Sequence, residues 1–311
     1  MSLLARTKEA TLGLIDPWIF LSISARCLPG TLRELIREQG LGVLLDWSKV
    51  QNAWFSHFWG RLAGPETRKT AGARVVPLLQ GRASGGEVVE ETVERGVSGT
   101  VLEVGAGSGL WVDVYRQVAD IQSDAAAETE QGSLKKRRNV VANSNGGARV
   151  ITRIYGVEPN HDQHENLRRA ISKAGLEDVY QIAPVGIEDL DNPEKWDGRI
   201  QKGSVDCIMS ILCLCSIPEP EKNIRELYSY LKDGGRWYVY EHVRCEYSWY
   251  MRVYQRILNL FWPHFIGGCL LCRQTEKTIR EAGPWKAIDV GQPSIEPWYQ
   301  VTPHILGVFT K

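Results

Sequence analysis

The run Thr100-Val-Leu-Glu-Val-Gly-Ala-Gly-Ser-Gly109 constrains this chain more than any other segment. An apolar, β-branched stretch stops at three glycines, Gly105, Gly107 and Gly109, set at every second position. Glycine enters left-handed backbone at little cost and lets the main chain approach a ligand where a Cβ would collide. A helix is expected next, over residues 110–118. Strand, glycine turn and helix in that order open a parallel α/β sheet, whose ligands bind at the carboxyl ends of the strands.

The rest of the sequence keeps the same rhythm. Strand-like runs at 150–157, 180–185, 205–211, 236–240, 285–290 and 304–310 alternate with helical ones at 162–174 and 219–231, and 87–95 reads as a helix leading into the first strand. Such alternation predicts an α/β fold, a Rossmann-like seven-stranded, mostly parallel sheet with helices on both faces. Residues 1–70 are different: a helical, Trp-rich leader, closing in a breaker-containing stretch around Gly64, Pro65 and Gly72. Residues 71–311 form the sheet domain.

In the leader, Leu12, Ile15, Trp18, Ile19, Leu32, Leu35 and Ile36 recur at helical spacing. Such a helix either caps the core or lies on a membrane surface. Its apolar stretch 17–25 is nine residues between Asp16 and Arg26, short of the roughly twenty that a spanning helix needs, so no transmembrane anchor is expected. Residues 119–148 carry acidic, alanine-rich, basic and Asn/Gly-rich pieces in succession and read as a solvated, disordered insertion.

Composition excludes two classes of answer. Lys and Arg number 37 against 37 Asp and Glu, which removes the bulk attraction to a phosphate backbone, so no nucleic-acid partner is expected. Seven cysteines without a cleavable leader argue against a secreted disulfide framework; the chain is expected in the cytoplasm, at a membrane surface or free of one.

The glycines follow G-x-G-x-G, whereas a dinucleotide fingerprint needs G-x-G-x-x-G. Attached to its strand and acid, this E-V-G-x-G-x-G form resembles motif I of the class I S-adenosylmethionine-dependent methyltransferases. The resemblance implies S-adenosyl-L-methionine as cofactor, its methionine half wrapped by Glu103, Gly105, Ala106, Gly107, Ser108 and Gly109. The strand ending at Val157 runs into Glu158-Pro159, and an acid there can accept hydrogen bonds from both ribose hydroxyls, as NAD enzymes also arrange. Gly109 to Glu158 is 49 residues, against a usual interval of about twenty; removing the insertion restores it. Ile187 and Glu188 resemble the pair that flanks adenine, and Ser210 sits in a run, 203–215, that resembles the fourth-strand motif.

Gly203-Ser-Val-Asp206, Leu214-Cys-Ser216, Glu241-His-Val243, Gly268-Cys269 with Arg273, and Pro303-His-Ile-Leu-Gly307 resemble the membrane-associated alkyl-thiol methyltransferase family. That resemblance implies methyl transfer to a small lipophilic acceptor, a thiol among the choices. The alternatives are O- or N-methylation of a natural product, lipid-like or quinone substrate, and a non-catalytic scaffold at a membrane surface. His242, beside Glu241, is the candidate general base, because imidazole titrates in the working range. Aromatic residues at 247–271, Trp262 among them, are expected to wall the acceptor. Cys213, Cys215, Cys269 and Cys272 form C-x-C and C-x-x-C pairs of the kind zinc uses, but their apolar setting reads more plainly as small buried hydrophobes, and no metal is expected. His161 and His164 read as a solvated helix face.

Overall fold

The computed structural model describes residues 3–122 and 149–311. Three helices come first, α1 (Leu3–Gln39), α2 (Trp47–Phe58) and α3 (Gly64–Leu79), then a hairpin of β1 (Ala83–Ser84) and β2 (Glu87–Val88). The main sheet begins with β3 (Gly99–Val104), α4 (Tyr115–Val118), β4 (Asp120–Ile121), β5 (Val150–Val157), α5 (His161–Ala174) and β6 (Tyr180–Ala183). It continues through β7 (Val205–Ile211), α6 (Pro220–Tyr230), β8 (Leu231–His242), α7 (Trp249–Leu258), α8 (Trp262–Phe265), α9 (Thr275–Arg280), β9 (Ala287–Gly291) and β10 (His304–Thr310).

The strand order is β4-β5-β3-β7-β8-β10-β9, with β6 also pairing on β5. Pairings are parallel from β5 through β8, and β10 runs antiparallel to both β8 and β9. The seven expected strands are present, and β4, two residues long, makes an eighth. Alternation along β7 divides the core: Cys207, Met209 and Ile211 pack with α3, α4 and α5, while Ile208 packs with α6 and α9 on the other face. A third cluster joins Leu21 of α1 and Trp54 and Phe58 of α2 to Trp262, Ile266, Cys215 and Cys269, so the leader closes over the carboxyl ends of β7 and β8.

Four local expectations are corrected. Residues 87–95 are not helical: Gly85 and Gly86, at φ 59° and 89°, turn a tight hairpin into β2, and the β-branched Val88, Val89, Thr92 and Val93 favour extended backbone. The stretch around Gly64 and Pro65 does not end the leader. Pro65 occupies the first turn of α3, where its missing N–H is not needed, and a π-helical turn over Trp59–Ala63 joins α3 to α2. The helix expected over 110–118 is reduced to turns, a 3-10 segment at Val112–Val114 and the single turn of α4. Finally, Asp16 and Arg26 do not confine the apolar stretch of α1 to 17–25: its Thr7–Gln39 stretch is long and apolar enough to cross a membrane by length and composition.

Most of the insertion, 123–148, lies outside the described residues. Its two flanks meet: β4 pairs in parallel with the start of β5, and Asp120 N–H donates to the Arg149 carbonyl at 2.7 Å.

Candidate active site

β3 delivers the glycine loop to the carboxyl edge of the sheet. Gly105, Gly107 and Gly109 take φ of 70°, 54° and 83°, a conformation that other residues reach only under strain. A Cβ on Gly105 would lie 2.5 Å from Cys213 Cβ, so this close packing of the loop on the β7 turn requires glycine. A Cβ on Gly107 would meet nothing nearer than the Gly105 carbonyl at 3.9 Å, which leaves open space above the loop. Ala106 is buried, and Ser108 reaches a cleft of about 520 Å³ between α1, α2 and α5 that also carries Glu34, Arg61 and Arg169.

Glu158, at the end of β5, accepts the Gly107 N–H at one carboxylate oxygen and the Asn160 N–H at the other, both at 2.8 Å. Burial raises its pKa, while those two N–H groups oppose the rise. Pro159 beside it is exposed. Glu103 is 1% exposed, and one of its oxygens accepts the hydroxyls of Tyr115 and Tyr180; the other has no partner. Burial lifts its pKa to about 7 against the pull of the two hydroxyls, and the charge of Glu158 adds to the rise. Two carboxylates that feel each other beside an open glycine loop suit a ligand carrying hydroxyls and positive charge. S-adenosylmethionine has both, so the residues present fit it.

Other expected residues divide. Ile187 is buried in the core on the short helix Ile187–Asp189, and Glu188 is exposed with its carboxylate folded over Gly186. Ser210 pairs in register with Val104, the residue before the loop, and its side chain is fully buried on the α6 face, where its hydroxyl accepts the Trp237 indole N–H at 2.9 Å. Asp206 lies at the far end of β7, bonded to the Thr100 N–H and Lys232. His164 is not on a solvated face; it is buried, and its Nε2–H donates to the Glu158 carbonyl at 2.7 Å, fixing the peptide that carries the acid. Asn160 ties that corner to the leader, since its amide donates to the Ser56 hydroxyl of α2.

A second group forms where β7 and β8 end. Glu241, fully buried, accepts the N–H groups of Cys213 and Leu214. That pins the turn after Leu212, which stands at φ 55°. Burial pushes Glu241 up to about 8. His242 points elsewhere: its Nε2 is 3.0 Å from Cys269 Sγ, and Nδ1 is buried without a partner. Burial works against a charged ring there, yet the adjacent Cys215 raises the His242 pKa overall. Sequence reasoning missed this gathering of Cys215, His242 and Cys269, although it had singled out each residue.

Of the aromatic residues expected around the acceptor, Trp262 is buried and stacks on Phe20 at 5.6 Å, while Tyr250 and Tyr254 line an apolar groove of about 420 Å³ with Leu14, Ile15 and Trp18 of α1.

A family model described as a methyltransferase domain matches residues 80–282, and the chain belongs to that family. The class so defined is that of the S-adenosylmethionine-dependent methyltransferases. Among curated proteins, the chain is 32% identical over 113 residues to thiol S-methyltransferase TMT1B of Homo sapiens, covering 36% of this chain and 46% of that protein. It is 33% identical, with the same coverage, to thiol S-methyltransferase TMT1A of Homo sapiens. The match thus spans about half the length of these relatives. A solved structure of geranyl diphosphate C-methyltransferase from Streptomyces coelicolor, in complex with Mg2+, geranyl diphosphate and S-adenosyl-L-homocysteine, is 13% identical with a TM-score of 0.43, covering 69% of this chain and 74% of that one.

Proposed function

We propose that this chain methylates the sulfur of small lipophilic thiols. The observation that carries the reading is the apolar cluster of leader and lid, in which Trp54, Phe58, Trp262 and Ile266 surround the two thiols and the imidazole at the ends of β7 and β8. Relatives named as thiol S-methyltransferases support the same acceptor class.

The cofactor, when bound, supplies a methyl group on a cationic sulfonium. The protein's work is alignment and exclusion of water, which is a large proximity contribution. Gly105 and Gly107 offer an approachable backbone. Glu158, held by two N–H groups and by His164 beneath its peptide, keeps lone pairs for ribose hydroxyls. Ile187 and Glu188, which follow β6, would flank the adenine end. The leader helices shield the acceptor side from water.

Labelled S-adenosylmethionine offered with a panel of alkyl thiols, phenols and amines tests this. Thioether products are expected, and methylation confined to phenols or amines would replace the sulfur reading.

The leader supports a place at the membrane. α1 exposes Leu12, Ile15, Ile19 and Ile23, and α7 exposes Trp249, Val253 and Ile257, the two helices being joined by the Trp18 indole donating to the Tyr254 hydroxyl. Co-sedimentation with lipid vesicles is expected, and Ile15→Ser with Trp249→Ser is expected to abolish it; unchanged sedimentation of that double variant would remove this surface from the account.

A further inference from the structure

Cys215, His242 and Cys269 stand 27 positions apart in turn along the chain, and each comes from a different segment: the turn after β7, the last residue of β8, and the turn after α8. Their ligand atoms lie within 4.8 Å of one another, and all three residues are buried. We propose that these three side chains bind one zinc ion, whose fourth position receives the sulfur of the acceptor thiol. The acceptor half of this inference rests on the thiol reading above; the metal half does not.

Tetrahedral zinc, with bonds of about 2.3 Å to sulfur and about 2.0 Å to nitrogen, separates its ligand atoms by about 3.5 to 3.8 Å. The observed separations, from 3.0 Å for His242 Nε2 to Cys269 Sγ up to the 4.8 Å limit, bracket that range. Two cysteines and one histidine are the ligand set of zinc sites that keep a fourth position open for substrate, whereas structural sites fill all four. Cys213 and Cys272 are not in the cluster: Cys213 faces Glu241.

The surroundings also suit a metal. Trp262 Nε1–H donates to Cys269 Sγ at 3.3 Å, the kind of outer contact that steadies a coordinating thiolate. Arg273 holds the Cys215 turn by donating to the Leu214 carbonyl at 2.7 Å, and Glu241 holds it from the other side. Two thiolates neutralise a divalent zinc, so the occupied site carries no net charge into an apolar wall. Cys213, which packs on Gly105, is two residues from Cys215, so the cluster lies beside the cofactor loop.

In the reaction, the acceptor S–H gives its proton to water as its sulfur takes the fourth position. A lone pair of that thiolate then forms the bond to the methyl carbon. The sulfonium carbon–sulfur bond breaks, its electron pair stays on the cofactor's sulfur, and the products are a thioether and S-adenosylhomocysteine.

The test is the metal content of the purified full-length chain by mass spectrometry, followed by cobalt(II) exchange. About one zinc per chain is expected, falling at least fivefold in Cys215→Ser and in Cys269→Ser, with Cys272→Ser unchanged and circular dichroism confirming that each variant is folded. The cobalt protein is expected to show thiolate charge-transfer absorption that shifts with hexanethiol and not with hexanol. Zinc no higher than in the cysteine variants, or recovery of Cys215 and Cys269 as a disulfide, overturns the metal site. A zinc-loaded protein whose cobalt spectrum ignores hexanethiol overturns the acceptor half. Thiol methylation by a zinc-free protein leaves the function standing without the metal, and zinc binding with methylation confined to amines does the reverse.

Discussion

Replacing Glu103 by glutamine isolates the free energy stored beside the glycine loop. The carboxyl is 1% exposed and its pKa is lifted from 4.5 to about 7. Between those values the folded protein keeps a proton that the unfolded chain has lost. The stability it contributes is complete below about pH 4.5, declines as pH rises, and is gone above about pH 7. At about 1.4 kcal/mol per pKa unit the decline amounts to roughly 3 kcal/mol. An amide stays neutral and retains an acceptor oxygen for the hydroxyls of Tyr115 and Tyr180, so Glu103→Gln should escape the decline. Urea denaturation is expected to give nearly equal stabilities at about pH 4 and a variant more stable by roughly 3 kcal/mol at about pH 8. Calorimetry should show the variant binding S-adenosylmethionine about tenfold more weakly, because a negative charge facing a cationic ligand is gone. A variant less stable than the parent at pH 8 would refute the reasoning, since the ionised carboxylate would then be a net stabilising group.

Glu158→Ala deprives the Gly107 and Asn160 N–H groups of their acceptor and should raise the cofactor Kd at least about thirtyfold, measured by calorimetry. His242→Ala is expected to lower turnover at least tenfold with cofactor affinity unchanged; wild-type rates would remove His242 from the mechanism. Trp262→Ala should cost about 3–5 kcal/mol in denaturant titrations and also raise the thiol KM, whereas a stability loss with normal KM would reduce Trp262 to packing.

The parallel sheet was legible because its strands are short apolar runs bounded by turn residues: β5, β7 and β10 have the bounds that the residue pattern sets. That Glu103, the glycines and Glu158 gather in one corner was legible because they lie at strand ends, where the chain reverses and local chemistry is decisive. The hairpin at Gly85-Gly86 was missed because its charged residues also suit a helix, and the apolar reach of α1 was cut short because Asp16 and Arg26 bound its longest uncharged run while the helix continues through both. The face that the Ser210 side chain takes was not legible, since a motif does not say it, and the Trp237 indole on the α6 face decides it. His164 looked solvated only because the partner that buries it, the Glu158 peptide, is assigned by the fold. The Cys215–His242–Cys269 group could not be read at all, because residues 27 apart have no local pattern and meet only when β7, β8 and the lid converge.

The meeting of Asp120 with Arg149 brings the two flanks of the 123–148 stretch to neighbouring positions. Both flanks are held by the pairing of β4 with the start of β5, so the sheet edge is tied on each side of that stretch. Closing a chain between neighbouring anchors costs only about 0.6 kcal/mol for each doubling of length, and cutting it back returns as little. Shortening the chain between the two flanks is therefore expected to leave the pairing of β4 with β5 in place.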